Sequence, residues 1–374
     1  LRNKLPYVFN HIPAGIDFVL ADARARCVRK DLHRFDHVKI IPKWVKQTNT
    51  CFNGFSDFSS SRNRNAYNDI QAFKKYDYDY EFTKDVNLLG FFYEKMYCPY
   101  MHNRYPDEKV VLPFEAIKKE FEDGGLLFVK EKTDGKYLSG SIIQVINGTF
   151  SPVKLGILNG DLQLLRRDVL TALYVAYFRF MEENKLSRGD FGNSRAFLND
   201  GVLKYKEKWT TSIEFDQTQG SVFIFKACRF SESLNRFLLN NPFITVEGEK
   251  LIGNIFLPPH TKVDEEALKK NYALKGLAGF RVCYPHPEQT PMEQAYFARR
   301  TEGISRCRTT LKNIFFMALS GAAISLLMCP RTVRSAKNFK NYQFKGLSEL
   351  RLIPLAGGQG TGVQSGINIA YLLH

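Results

Sequence analysis

The chain has 374 residues, 44% of them hydrophobic, which is enough for a proper core and for one large or two ordinary domains. Its 53 Lys and Arg exceed 38 Asp and Glu, and the resulting charge of +15 points to anionic partners: nucleic acid, an acidic membrane surface or phosphorylated small molecules. Seven dispersed cysteines without a CxxC pair argue against a zinc ribbon and a disulfide framework, so no metal is expected.

Residues 1–45 alternate short apolar runs with turns, Tyr7–Phe9, Asp17–Asp22 and Val38–Pro42, which suits short strands. The Ser/Asn/Arg-rich run from Thr48 to Asn65 reads as a solvated loop, Arg62 and Arg64 included. A helix is expected from Thr83, with Phe91, Phe92, Tyr93, Met96 and Tyr97 on its apolar face and its end before Pro99. His102 and Arg104 then fall just past that end as candidate ligand contacts, and Tyr97 as a candidate lining residue. Pro113 opens an amphipathic helix over Phe114–Phe121, closed by Gly124 and Gly125.

Beyond Gly125 the hydrophobic period changes from helical to alternating. Leu126–Glu131, Tyr137–Ile146 and Ser151–Ile157 read as three antiparallel strands, joined by Asp134-Gly135 and Asn147-Gly148 turns. Asp168–Lys185 is apolar around nearly its whole circumference, which marks a buried helix, and Arg166 and Arg167 precede its N-terminus, where an anion is favoured. Next comes RGDFGNSRAFLNDGVLKYKEKW, Arg188–Trp209. It reads as an extended piece, a polar turn with Asn193 or Ser194 as N-cap, and a helical run closed by Lys204, Lys206 and Lys208. Arg195 in that turn is suited to fork a phosphate, and Lys206 and Lys208 to hold a second charge. Lysines two apart share a face only in an extended segment; on a helix Lys204 and Lys208 pair and Lys206 points away. Strands at Thr211–Phe215 and Val222–Ala227, a helix over Glu232–Leu239, and strands near Phe243–Val246 and Leu251–Leu257 complete a mixed α/β pattern.

Ile314–Cys329 is apolar but short for a membrane span, which makes it a buried helix or an interfacial segment. Gly357–Gly362 lacks the strand–helix setting of a phosphate loop and reads as a flexible tail. No charged-then-apolar leader is visible at Leu1, so the expected location is cytoplasmic, with peripheral membrane contact as an addition.

Three stretches carry a family resemblance: LLGFFYEKMYCPYMHNRY (88–105), LLFVKE with YLSGSIIQV (126–145), and GDFGNSRAFLNDGVLKYKEKW (189–209). Together, and in this order over roughly residues 65–257, they resemble the GNAT acyltransferase fold, in the branch of FemAB-type aminoacyltransferases and cellulose-biosynthesis (exopolysaccharide) acetyltransferases. The resemblance implies a mostly antiparallel central sheet, with an activated acyl donor bound where two neighbouring strands splay apart and attacked directly by an amine or hydroxyl. It implies an N-terminal α/β extension over 1–62, with a degenerate GNAT-like lobe as the alternative there, an acyltransferase domain over 63–284 and a C-terminal extension over 285–374. Asp190 then takes the role of base or orienting carboxylate, and Ser194 that of an orienting hydrogen-bond partner. Many acetyl-CoA-dependent members use a Gln/Arg-x-x-Gly-x-Gly/Ala loop at the start of the buried helix. Here Asp161–Asp168 contains no glycine and two arginines. The donor therefore stays open between acetyl-CoA or another acyl-CoA and aminoacyl-tRNA, and the acceptor is expected among cell-envelope precursors, polysaccharides or amino-sugars. Two rivals use the same basic surface without catalysis: an RNA- or tRNA-binding protein, and a peripheral membrane protein.

Overall fold

The computed structural model describes residues 9–12, 15–25, 28, 37–58, 64–74, 76–105, 111–215, 220–285, 294–298, 351–352 and 368–373. Ile314–Cys329, Gly357–Gly362 and Arg62 lie outside them. The chain opens with β1 (Ile16–Arg24), β2 (Val38–Pro42), β3 (Trp44–Asn49), α1 (Arg64–Phe73) and β4 (Tyr78–Thr83). A long helical segment follows, made of α2 (Asn87–Phe92), a π-helical turn (Tyr93–Tyr97) and α3 (Cys98–Arg104), and then α4 (Phe114–Glu122). β5 (Gly124–Glu131), β6 (Tyr137–Ile146) and β7 (Thr149–Ile157) lead through α5 (Gln163–Arg166) to α6 (Val169–Glu183), β8 (Arg188–Arg195) and α7 (Gly201–Glu207). The rest comprises β9 (Ser212–Glu214), β10 (Ser221–Ala227), α8 (Glu232–Asn240), β11 (Phe243–Glu247), β12 (Lys250–Phe256), α9 (Glu265–Tyr272), β13 (Gly279–Cys283), β14 (Gln294–Ala298), β15 (Arg351–Leu352) and β16 (Asn368–Leu373). This is a mixed α/β fold with largely antiparallel sheets, as the sequence pattern predicts.

Two compact units interleave along the chain: Lys46–Asn193 with Tyr205–Ser212 form one, and Leu1–Val45, Ser194–Lys204 and Ile213–His374 the other. The interleaving arises because pairing partners lie far apart in sequence, as when Phe18 of β1 pairs with Ala227 of β10.

In the first unit a seven-stranded sheet has the order β4-β5-β6-β7-β8-β3-β9. β4 to β7 are antiparallel and β8 joins β7 in parallel, reached through the crossover helix α6. Both faces are covered. On one, Leu127, Val129, Ile143 and Phe150 pack with α6 residues such as Leu173, Tyr177 and Phe178. On the other, Leu126, Phe128 and Ile142 pack with Leu89, Phe92, Met96, Ile117 and Phe121 from α2, the π turn and α4. This explains the unbroken apolar run at 126–129: alternate side chains enter two different cores, each burial contributing about 1.5–3 kcal/mol. The Asn147-Gly148 turn closes a tight hairpin with positive φ at both residues (51° and 73°), joining Ile146 to its partner Thr149.

In the other unit, a five-stranded sheet β15-β16-β1-β10-β2 and a four-stranded sheet β11-β12-β13-β14 supply the core. Phe18 stacks on Phe237 at 4.8 Å, and α8 begins at Ser231, whose Oγ accepts the Leu234 N–H at 3.1 Å.

Three expectations change. Thr83 ends a strand, and the helix begins at Asn87. It does not stop before Pro99. The helix widens into the π turn, in which the Cys98 N–H reaches back five residues to the Tyr93 carbonyl, and Pro99 then takes the first turn of α3, where its missing N–H costs nothing. His102 and Arg104 therefore lie on the last turn of α3. The α7 cap is Asp200, whose Oδ1 accepts the Leu203 N–H at 2.8 Å; Asn193 and Ser194 remain in β8.

Candidate functional site

Although β7 and β8 are neighbours, among the described residues they share only two pairs, Thr149↔Arg188 and Phe150↔Gly189. β7 then runs on to Ile157 and β8 to Arg195 without further pairing to each other. Each strand has a local reason to leave the ladder. On β8, Asp190 Oδ1 accepts the Gly192 N–H at 2.9 Å and Gly192 adopts φ +71°, so this backbone bonds to itself and turns. The far half of β7 is drawn to the π turn: a Cβ added at Gly156 would lie 2.6 Å from the Met96 carbonyl carbon and 2.6 Å from the Tyr97 nitrogen. Since α6 connects the end of β7 to the start of β8, its N-terminal half returns along the open part of the gap.

The side chains beside the gap divide by face. Phe191 points to α6, its ring 5.9 Å from Tyr174 and 5.3 Å from Phe178. Asp190 and Gly192, one residue to either side, take the opposite face. There Asp190 pairs with Lys46 of β3 at 2.6 Å, and Lys206 Nζ donates to the Asn193 carbonyl at 3.0 Å. Lys206 Nζ also lies 4.0 Å from where a Cβ on Gly192 would stand, so the absence of a side chain at 192 leaves room for the ammonium. One carboxylate and two ammonium groups thus gather beside the parting strands, a net positive corner.

The other predicted residues are distributed more widely. Arg195 and the buried Ser194 close β8 in the other unit. Lys208 lies beyond the end of α7, ion-paired with Asp69 and 4.1 Å above the Tyr205 ring, while Lys204 sits over Tyr272. Arg167 pairs with Glu131 at 2.5 Å, and Arg166 is exposed on α5. Tyr97 is buried, its hydroxyl accepting the Leu112 N–H at 3.2 Å, which gives it a packing role. His102 is exposed, and Arg104 lies against Tyr100 and Tyr105 and donates to the Tyr100 hydroxyl.

Sequence reasoning missed Lys46, because nothing in the chain ties β3 to β8. Trp209 is fully buried against Phe58, Tyr174 and Phe178. Tyr174, Tyr177 and Tyr205 crowd the same layer, and burial pushes all three phenols well above their ordinary value, so they remain protonated donors. Among the described residues there is no group of three or more His, Cys, Asp or Glu placed to hold a metal ion, and no helix long and apolar enough to cross a membrane.

No protein-family model and no curated relative matches the sequence. Among solved structures the chain is similar to L-PGS from Bacillus licheniformis, with 13% identity, 55% of this chain and 67% of that one covered, and a TM-score of 0.37. It is likewise similar to FemX, with 15% identity, 52% and 63% covered, and a TM-score of 0.37. The chain spans about two thirds of the length of each, and likeness at this level assigns no residue a role.

Proposed function

We propose that this chain is an acyltransferase that moves an acetyl or aminoacyl group from an activated donor to an amine or hydroxyl of a cell-envelope, polysaccharide or amino-sugar acceptor. The observation that carries this reading is the parting of β7 and β8 after two shared pairs, beside a crossover helix and behind an antiparallel meander. A gap between strands exposes unpaired backbone N–H and C=O groups that an extended donor can satisfy, which places its reactive carbonyl at a fixed point. The acceptor attacks that carbonyl directly, so the protein supplies position, a group to orient or deprotonate the acceptor, and donors for the developing oxyanion. Asp190, held by Lys46 and the Gly192 N–H, orients the acceptor, and an acceptor amine brought to it loses its proton in the course of attack. Lys206, with Lys46, favours the phosphates of an acyl-CoA or of aminoacyl-tRNA.

A comparison of acetyl-CoA, a longer acyl-CoA and aminoacyl-tRNA tests this reading. A donor that binds only the folded state adds about 2.7 kcal/mol of stability at a hundred times its Kd and raises the melting temperature accordingly. Lys206→Ala is expected to lower transfer by about tenfold with the fold intact. Absence of any donor-induced shift, together with no transfer of labelled acyl group, refutes the proposal. Salt-sensitive tRNA binding without transfer identifies an RNA-binding protein instead.

A further inference from the structure

Two lysines at β2 have different surroundings. Lys43, just past the strand, pairs with Asp22 at 2.7 Å. Lys39 is half-buried, and among the described residues its ammonium makes no hydrogen bond and no ion pair. The fold explains this. β2 is the edge of the five-stranded sheet and lies against β11, the edge of the four-stranded one. Lys39 stands opposite Phe225 of β10, and alternation puts it on the same face of β2 as Ile41, which enters a core with Phe225, Phe243 and Cys283. Val38 and Ile40 pack against a different core.

The titratable groups that face Lys39 come from the neighbouring sheet: Arg281 and Cys283 of β13, and Glu247 of β11. Glu247 is the natural partner for an ammonium here, but the Arg281 guanidinium donates to both its oxygens, at 2.6 and 2.8 Å. The Cys283 thiol is pushed up to about 11 by burial, so it carries no charge at neutral pH. Burial first, and then the Arg281 charge, hold the Lys39 ammonium below its usual 10.5. A desolvated lysine beside another cation keeps more of its nitrogen as free amine, and here no hydrogen bond has to break before the lone pair can be used.

We propose that Lys39 is a modification site, its amine acylated by small activated acyl compounds of the acyl phosphate class. The nitrogen lone pair bonds to the acyl carbon, and the bond from that carbon to the phosphate oxygen breaks with its electron pair. The nitrogen gives up one proton, which balances the charge of the departing phosphate. The product is a neutral amide beside Arg281. This inference does not depend on the acyl-transfer reading above, because the reagent itself supplies the activation.

The test incubates the full chain with acetyl phosphate at neutral pH and follows acetylation of each lysine by peptide mass spectrometry. Lys39 is expected to react about fivefold faster than the exposed Lys84, Lys136 and Lys262. That preference should vanish in urea, where Lys39 leaves its neighbours. It should also fall in Arg281→Met, which removes the like charge and releases Glu247 to pair with the amine. A folded chain in which Lys39 reacts no faster than the exposed lysines overturns the assignment. A preference that persists in urea comes from local sequence and overturns it too, as does a folded Arg281→Met chain with the full preference. Should Arg281→Met fail to fold, the comparison with and without urea decides by itself.

Discussion

Gly156→Ala tests the packing that pulls β7 away from β8. In the β6–β7 ladder Gly156 stands opposite Gly140, and neither carries a side chain. A Cβ at 156 would meet Met96 and Tyr97 backbone atoms at 2.6 Å, and one at 140 would meet the Phe128 ring at 2.8 Å and the Phe92 ring at 3.2 Å. The two glycines form a bare seat on which the helix bearing the π turn rests by its backbone. Backbone cannot rotate out of the way as a side chain can, so the added methyl has to push the helix off the sheet. Overpacking of this kind costs about 1–3 kcal/mol, and the upper part of that range applies where both nearest atoms are main-chain. Stiffening of the unfolded chain by alanine returns about 0.4–1 kcal/mol, which leaves a net loss of about 2 kcal/mol. For a unit of this size that lowers the melting temperature by about 4–8 °C, measurable by scanning calorimetry. A variant that melts within about a degree of wild type refutes the close approach, and with it this account of why β7 parts from β8.

Gly90→Ala is the opposite case: Gly90 is inside α2 with nothing within 4 Å of an added Cβ, so alanine is expected to stabilise by about 0.5–1 kcal/mol in the same calorimetric assay. Lys46→Met removes a half-exposed ion pair worth less than about 1 kcal/mol, so its melting temperature should hardly move, whereas transfer should fall about tenfold if Asp190 needs its partner. The Lys130 ammonium, donating to Glu81 at 2.6 Å, holds the Glu81 carboxyl below its usual 4.5, with the Tyr137 hydroxyl assisting. Stability from a carboxyl lowered in the folded state is present above the unfolded value and is lost as pH falls through the folded one. Glu81→Gln should therefore flatten the acid limb of a urea-midpoint profile below about pH 4.5, and an unchanged limb counts against the assignment.

The elements easiest to read from sequence were those whose signals are local. The two-residue turn at Asn147-Gly148, the buried circumference of α6 and the strands flanking them follow from spacing alone. Pro99 misled because a proline ring ordinarily meets the carbonyl four residues back, and the wider π turn, in which the Cys98 N–H reaches the Tyr93 carbonyl, changes that winding just before it. The candidate site was half legible. Asp190 and Lys206 lie in one continuous stretch and do come together on one face of β8. Lys46 enters from a strand more than 140 positions earlier, and long-range pairing leaves no mark in local pattern. The phenols were visible as aromatic residues, but an aromatic at helical spacing is ordinarily core.

The strand period ties these observations together. Along β8, Phe191 enters the α6 layer beside Tyr174, while Asp190 and Gly192 present a carboxylate and a bare backbone to the other side. The buried phenols and the carboxylate–ammonium pair therefore lie on opposite faces of one strand. The separation has a physical advantage. A carboxylate in the dry phenol layer would lose its hydration. Asp190 instead pairs with Lys46 where both are part-exposed. Moving Asp190 by one position along the strand would bring its charge into the phenol layer, so the one-residue alternation of this short stretch is what keeps the two groups apart.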